Sequence, residues 1–262
     1  MLISNFHTHT TRCRHAEGTE REYIENAIKG GFRVLGFSDH APYVFEGDYY
    51  STFRMRPEAL EDYCKTILDL KDEYKNDIEI HLGLEAEYYP RFFDAFLRLI
   101  EPYPIEYLIQ GQHFIGNELD DRRGSLAGSD DEERLKKYVT QVCRGMETGA
   151  FSCLAHPDVF AFSGSEEGYI KHMRELCLCA KKNDIPLEIN LLGIRTKRIY
   201  PNPVFWKIAG EVGNTVVFGV DAHTAEDVTD NPSFEEAMGM VNAFGLNRKE
   251  AKDAILPRVR RV

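Results

Sequence analysis

Apolar and polar positions along this chain alternate between two regimes. Short runs rich in Val, Ile, Leu and Phe recur at residues 2–6, 33–37, 78–84, 106–110, 150–154, 186–189 and 215–220, and their length and composition predict buried strands. Between them, apolar residues three and four apart predict helices over 20–29, 57–74, 92–100, 132–148, 166–182 and 204–212, with a last helical region from Ser233 onward. Pro57 and Pro203 sit where a first helical turn tolerates a missing N–H, and Gly30, Gly31 and Gly149 sit where a helix has to stop. Strands and helices that alternate in this way imply a parallel sheet. The expected fold is α/β, a distorted, TIM-like (β/α)7 barrel forming one domain over residues 1–262, because no repeat, low-complexity stretch or linker interrupts the alternation. Three irregular segments, 41–56, 116–130 and 191–202, follow strands and are expected to cover the face formed by the strands' C-terminal ends.

The histidines follow the same rhythm. Seven of the nine, His7, His9, His15, His40, His113, His156 and His223, lie at or just after the ends of predicted strands. His7 and His9 are two apart, so on a strand both rings project to one side, as shared coordination of an ion requires. Parallel strands in a barrel present their ends on one rim, where these imidazoles would meet Glu85 and Asp221. Neutral imidazole is the commonest metal ligand. Nine such groups are too many for one ion and suit two or three divalent ions, with Glu85 as the natural bridge, since a carboxylate spans metals about 3.5–4 Å apart. His81 opens its strand and His172 lies inside a helix, so both are expected to be structural.

Charge and composition narrow the partners. Lys plus Arg number 32 against 43 Asp plus Glu, a net charge of −11, which argues against a broad basic face for nucleic acid. Cys13, Cys64, Cys143, Cys153, Cys177 and Cys179 form no CxxC pair, as expected of reduced thiols in a cytoplasmic protein. The opening residues lack a basic stretch followed by an apolar one, and no run approaches the ~18 apolar residues that span a bilayer, so no membrane partner is expected. The charged runs 130–137 and 247–252 are expected to be solvated helix faces, and the basic tail with Arg258, Arg260 and Arg261 to be exposed.

Taken together, His7-Thr8-His9, Ser38-Asp39-His40-Ala41-Pro42, Gly83-Leu84-Glu85, His156-Pro157-Asp158 and Gly219-Val220-Asp221-Ala222-His223 resemble the PHP-domain (polymerase and histidinol phosphatase) family. Over essentially the whole length the chain is similar to its monofunctional histidinol-phosphate phosphatases. The resemblance implies up to three divalent ions (Zn, Mn or Fe): one held by His7, His9, Glu85 and Asp221, a second by Glu85, His113 and His156, and a third by His15, His40 and His223. It also implies hydrolysis of L-histidinol phosphate to L-histidinol and phosphate, with a metal-bridging hydroxide attacking phosphorus. Arg195 is the candidate phosphate clamp, with Arg198, Lys197 and Arg54 as alternatives, since a guanidinium matches phosphate in a bidentate fork. Asp158 is expected either to protonate the leaving group or to orient an imidazole. Where the family's phosphatases often carry a second arginine after the fifth strand, this chain reads Val159-Phe160-Ala161-Phe162, so Phe160 and Phe162 are expected to stack on a ring of the substrate. That departure keeps a second expectation open, a phosphatase for another small phosphomonoester such as a nucleotide or sugar phosphate. A polymerase-associated exonuclease module is disfavoured by the missing polymerase region and basic stripe, and a silent regulator by the complete ligand set. Neither the metal nor the oligomeric state is fixed by the sequence.

Overall fold

The structure is a computed structural model that describes residues 2–255. Its strands are β1 (Ser4–Asn5), β2 (Val34–Phe37), β3 (Glu79–Ala86), β4 (Tyr107–Gln110), β5 (Cys153–Leu154), β6 (Leu187–Asn190), β7 (Thr215–Gly219) and β8 (Asn247–Arg248). They form one parallel sheet in sequence order, curled into an incomplete barrel. All seven predicted strands are present with ends shifted by a few residues, and the alternation with helices is the one read from the sequence. The eighth strand corrects the reading of 247–252 as a solvated helix face: two of its residues extend the edge of β7, and Ala251 starts the buried helix α9 (Ala251–Ile255). Arg258, Arg260 and Arg261 lie outside the described residues.

The barrel is closed differently at its two ends. At the bottom α9 packs against both β1 and β7, and Lys252 N donates to Ser4 Oγ at 3.2 Å. At the top β1 and β7 meet directly. His9 N donates to Ala222 O at 3.0 Å and Ala222 N to His7 O at 3.3 Å, a parallel bridge between Thr8 and Ala222. The end that carries the histidines is therefore held shut by backbone hydrogen bonds.

Tyr107 fills the interior. It is 1 % exposed, packs edge-on against Phe6, and its hydroxyl lies 3.0 Å from the carbonyls of Phe6 and Phe37. Gly36 and Gly83 face its ring so closely that a Cβ at either position would overlap it. Phe6, Val34, Ile109 and Val217 join Tyr107 in this inner cluster, with Ala254 and Ile255 of α9 beneath them. A larger apolar cluster lies between the sheet and the helices.

The outer helices are α1 (Glu20–Lys29), α2 (Leu60–Glu73), α3 (Phe93–Ile100), α4 (Glu132–Glu147), α5 (Glu166–Lys182), α7 (Pro203–Val212) and α8 (Asn231–Phe244). Local chemistry sets their ends. Thr19 and Glu22 form a reciprocal capping box at the start of α1, Asp131 and Ser165 cap α4 and α5, and Gly245, at φ 60°, ends α8. The segment expected to be irregular from 191 onward instead begins with a one-turn helix, α6 (Leu191–Arg195). Asn190 Oδ1 accepts from Gly193 N at 3.0 Å, turning the chain into helix directly off β6, and five residues are too few for an apolar period to reveal. Among the described residues no helix is long and apolar enough to cross a membrane.

Asp158 belongs to this framework, which corrects its expected role as acid or imidazole partner. Its Oδ2 accepts from Asn202 N at 2.5 Å and from Trp206 Nε1 at 3.1 Å, anchoring the first turn of α7. Burial pushes this carboxyl up to about 7. His81 and His172 are structural in their contacts, paired with Glu79 and Glu106 and with Glu132 and Glu175.

Two changes test the framework. Gly83→Ala forces a methyl into the Tyr107 ring and is expected to lower unfolding stability by ~1–3 kcal/mol, read as a lower urea midpoint. Asp158→Ala strands one buried and one half-buried N–H donor and is expected to cost a similar ~1–3 kcal/mol, whereas Asp158→Asn, which keeps an acceptor oxygen, is expected to cost less.

Candidate metal centre

Six strand ends bring their side chains to one place. Asn5, at the end of β1, fixes the turn into the HxH segment: its Oδ1 accepts from His7 N at 3.1 Å and Val220 N at 3.0 Å, and its Nδ2 donates to Thr8 Oγ1 at 2.8 Å. His7 and His9 are both 1 % exposed, their ring centroids 5.1 Å apart. His40 follows β2, Glu85 lies in β3, His113 follows β4, His156 follows β5, and Asp221 and His223 follow β7. His156 and Asp221 have positive φ, 29° and 52°, a left-handed backbone that non-glycine residues rarely adopt and that costs ~1–3 kcal/mol each. Gly111 permits the approach of β4, because a Cβ there would occupy the position of the Glu85 carboxylate.

Glu85 is the hub. Its Oε2 lies 3.6 Å from His7 Nε2, 3.6 Å from His9 Nε2 and 2.9 Å from His40 Nδ1. Its Oε1 lies 2.9 Å from His156 Nε2 and 3.6 Å from His113 Nε2. Asp221 Oδ1 is 3.5 Å from His7 Nε2 and 3.0 Å from His9 Nε2. On the solvent side His223 Nε2 meets His15 Nε2 at 3.0 Å. Three-residue groups whose donor atoms all lie within 4.8 Å of one another include His7, His9 and Glu85; His7, His156 and Asp221; His40, Glu85 and His113; and His15, His40 and His223. All nine residues singled out in the sequence are thus brought together.

The donor set fits divalent cations on two grounds. His7 Nε2, both nitrogens of His9, His40 Nδ1, His156 Nδ1, Glu85 Oε2 and Asp221 Oδ1 are buried without a hydrogen-bond partner, a cost that protein interiors avoid unless another group satisfies them. The electrostatics also call for positive charge. Burial alone would lower the pKa of His7, yet Asp221, Glu188 and Glu85 outweigh it and hold the ring well above its usual range. His9 rises to about 9 against its own burial through Asp221, Asp39 and Glu85. Burial also works against ionisation of Glu85 and Asp221, but the surrounding histidines hold both well below the usual carboxylate range. Burial depresses His40 and His223 to about 3, so these rings offer lone pairs rather than charge.

Residues behind the imidazoles escaped the sequence reading. Glu188 in β6 lies 2.8 Å from His7 Nδ1 and accepts from Asn190 Nδ2 at 2.8 Å, and Asn190 Nδ2 also reaches Asp221 Oδ2 at 3.0 Å. Glu87 lies 2.9 Å from His113 Nδ1. Each carboxylate leaves the far ring nitrogen free to face the centre. The available signals were a carboxylate two residues beyond Glu85, just past the end of β3, and an acidic residue between the apolar Leu187 and Ile189 of β6.

The cleft above the centre holds about 330 Å³, and its walls include Phe53, Leu126, Val159, Leu192, Arg198 and Tyr200. The expected substrate contacts are largely corrected here. Arg195 does not line the cleft: it pairs with Asp227 at 3.0 Å and Asp230 at 3.1 Å and donates to Asp221 O at 3.3 Å; the arginine on the wall is Arg198, which donates to Tyr200 Oη at 2.8 Å and makes no ion pair among the described residues. Arg54 is 1 % exposed and held by Glu87 and Glu118. Phe160 is buried against Tyr138 and Phe162 stacks on Tyr169, so neither reaches the cleft. A one-residue difference in where a loop turns decides which side chain faces the site, and the residue string does not encode it.

The PHP domain family profile matches residues 5–191. The chain is 27 % identical over 234 residues to a probable histidinol-phosphatase of Deinococcus radiodurans, covering 86 % of this chain and 88 % of that protein. It is 28 % identical over 259 residues to the histidinol-phosphatase of Bacillus subtilis, covering 85 % and 94 %. The crystal structure of histidinol phosphate phosphatase from Lactococcus lactis, complexed with zinc, L-histidinol and phosphate, superposes with a TM-score of 0.71 at 21 % identity, covering 94 % of this chain and 95 % of that one. With the family profile spanning more than two thirds of its length, this chain belongs to the PHP domain family.

Proposed function

We propose that this protein is a metal-dependent phosphomonoesterase that hydrolyses L-histidinol phosphate to L-histidinol and phosphate. The observation that carries the reading is the buried ring of unpartnered imidazole and carboxylate atoms around Glu85. Support comes from the histidinol-phosphatases of D. radiodurans and B. subtilis, which match this chain over most of their length. His7, His9, Glu85 and Asp221 would hold one ion, Glu85, His113 and His156 a second, and His15, His40 and His223 a third, with zinc, manganese and iron all suited to imidazole-rich donors. Such ions, when bound, supply Lewis acidity to a phosphoryl group and lower the pKa of water from ~15.7 toward ~7.

The protein's own residues hold the rest of the reaction. Glu85 presents both carboxylate oxygens to opposite groups of imidazoles, and Glu188 and Glu87 fix the rings of His7 and His113 from behind. Arg198, on the cleft wall with no carboxylate partner among the described residues, is placed to meet phosphoryl oxygens, with Tyr200 steadying its guanidinium. Phe53, Val159, Leu192 and Tyr200 give the leaving-group side an apolar, partly aromatic wall, which suits a flat imidazole better than a polyhydroxylated sugar. Phe160 and Phe162, the sequence support for another phosphomonoester, lie outside the cleft. The whole span works as one phosphoesterase unit, and a cytoplasmic setting fits six cysteines that are all free thiols.

The reading is tested by kcat/KM for phosphate release from L-histidinol phosphate beside p-nitrophenyl phosphate and a nucleoside monophosphate, on protein loaded with Mn²⁺ or Zn²⁺. A value above ~10⁴ M⁻¹s⁻¹ for histidinol phosphate, far ahead of the other two, is expected; equal slow turnover of all three would leave a phosphoesterase with another substrate. Arg198→Ala is expected to lower kcat/KM by ~10–100-fold, the loss of one charge-assisted contact of ~1.5–3 kcal/mol. Arg195→Ala, by contrast, is expected to register first as a lower melting temperature, since it strips two ion pairs from the loops around α6.

A further inference from the structure

Among the described residues Arg54 is the one buried Lys or Arg, and it lies in the loop after β2 with every N–H donor used. Its Nε donates to Glu118 Oε1 at 2.8 Å. One terminal nitrogen donates to Ala41 O at 2.9 Å and Glu87 Oε2 at 3.0 Å, the other to Glu87 Oε1 at 2.9 Å and Tyr89 Oη at 3.3 Å. A guanidinium buried with one carboxylate is costly, and two carboxylates with five matched acceptors offset that cost. The fork to Glu87 is bidentate, which fixes the plane of that carboxylate as well as its position.

Glu87 is not an end point. The same Oε1 that accepts from Arg54 lies 2.9 Å from His113 Nδ1, so a carboxylate whose plane is set by the arginine in turn sets the tilt of the ring. An acceptor at Nδ1 requires the proton there and leaves Nε2, 3.6 Å from Glu85 Oε1, as a lone pair facing the centre. Through Ala41 O the guanidinium also ties the far end of the loop to the residue that follows His40.

We propose that Arg54 is a positioning residue for the metal centre: through Glu87 it fixes the tautomer and tilt of His113. The inference rests on the metal-centre reading above. It explains a buried arginine that does not touch the cleft, and it separates this residue from Arg198, which acts on substrate.

The test is a double-mutant cycle read by calorimetric titration of Co²⁺ into metal-free protein, so that no turnover is needed. Arg54→Lys keeps the charge and loses the fork; it is expected to weaken Co²⁺ binding ~10–100-fold, the usual cost of disturbing a group behind a ligand. In a His113→Ala background the same substitution is expected to change binding less than ~2-fold, because the residue it acts through is gone. An equal loss in both backgrounds, or no loss in either, would overturn the proposal. Should Arg54→Lys fail to fold, nitrogen-15 NMR of the histidines in unaltered metal-free protein decides: a slowly exchanging Nδ1–H on His113 is expected, and an Nε2–H tautomer would sink the idea. Absence of Co²⁺ binding by the unaltered protein would instead count against the metal centre itself, while the tautomer still reports on the positioning chain.

Discussion

Glu85 is a carboxylate buried at 1 % exposure, and the rest of the site follows from how its charge is met. A lone carboxylate in that position would take up a proton; this one is ringed by His7, His9, His40, His113 and His156 and stays ionised. Those five rings come from four different strand ends, so the carboxylate acts as the common point onto which the barrel rim is tied. The rings in turn have their own partners, Glu188 for His7 and Glu87 for His113. The buried centre therefore carries more negative than fixed positive charge, an imbalance that protons on His7 and His9 or divalent ions would relieve.

The barrel exists to hold that geometry under strain. Left-handed backbone at His156 and Asp221 and buried polar atoms without partners around Glu85 all cost free energy. They persist because the rim is overdetermined: the Thr8–Ala222 bridge closes β1 onto β7 at the level of the histidines, and Asn5 pins both segments. At the other end no such bridge forms among the described residues, and α9 fills the gap with Ala251, Ala254 and Ile255. Stability and chemistry are thus placed at opposite ends of the same strands, as is usual where strand ends carry the site.

Much of this was legible without coordinates. The seven predicted strands could be read because they are largely buried on both faces and so fall in short runs rich in apolar residues, and α1 and α5 have the limits their periodicity gives, because Thr19 and Ser165 are strong caps. The histidines could be read because a parallel barrel converts position at a strand's end into position on one rim. Arg195, Arg54, Asp158, Phe160 and Phe162 could not be placed, because each lies in a connection whose path depends on packing. α6 turns Arg195 toward Asp227 and Asp230 and leaves Arg198 on the wall; Asp158 is captured by the first turn of α7.

What the sequence by itself determined was the alternating barrel, its open rim and the nine side chains that meet there, since strand periodicity and the distance of a residue from a strand's end are local properties of the string. Tertiary structure alone decided which carboxylates stand behind which imidazoles, which arginine faces the cleft, and how the sheet closes. Those outcomes depend on contacts between segments up to 248 residues apart, as between Ser4 and Lys252, and on the cost of burying charge, which is set only when every neighbour is in place.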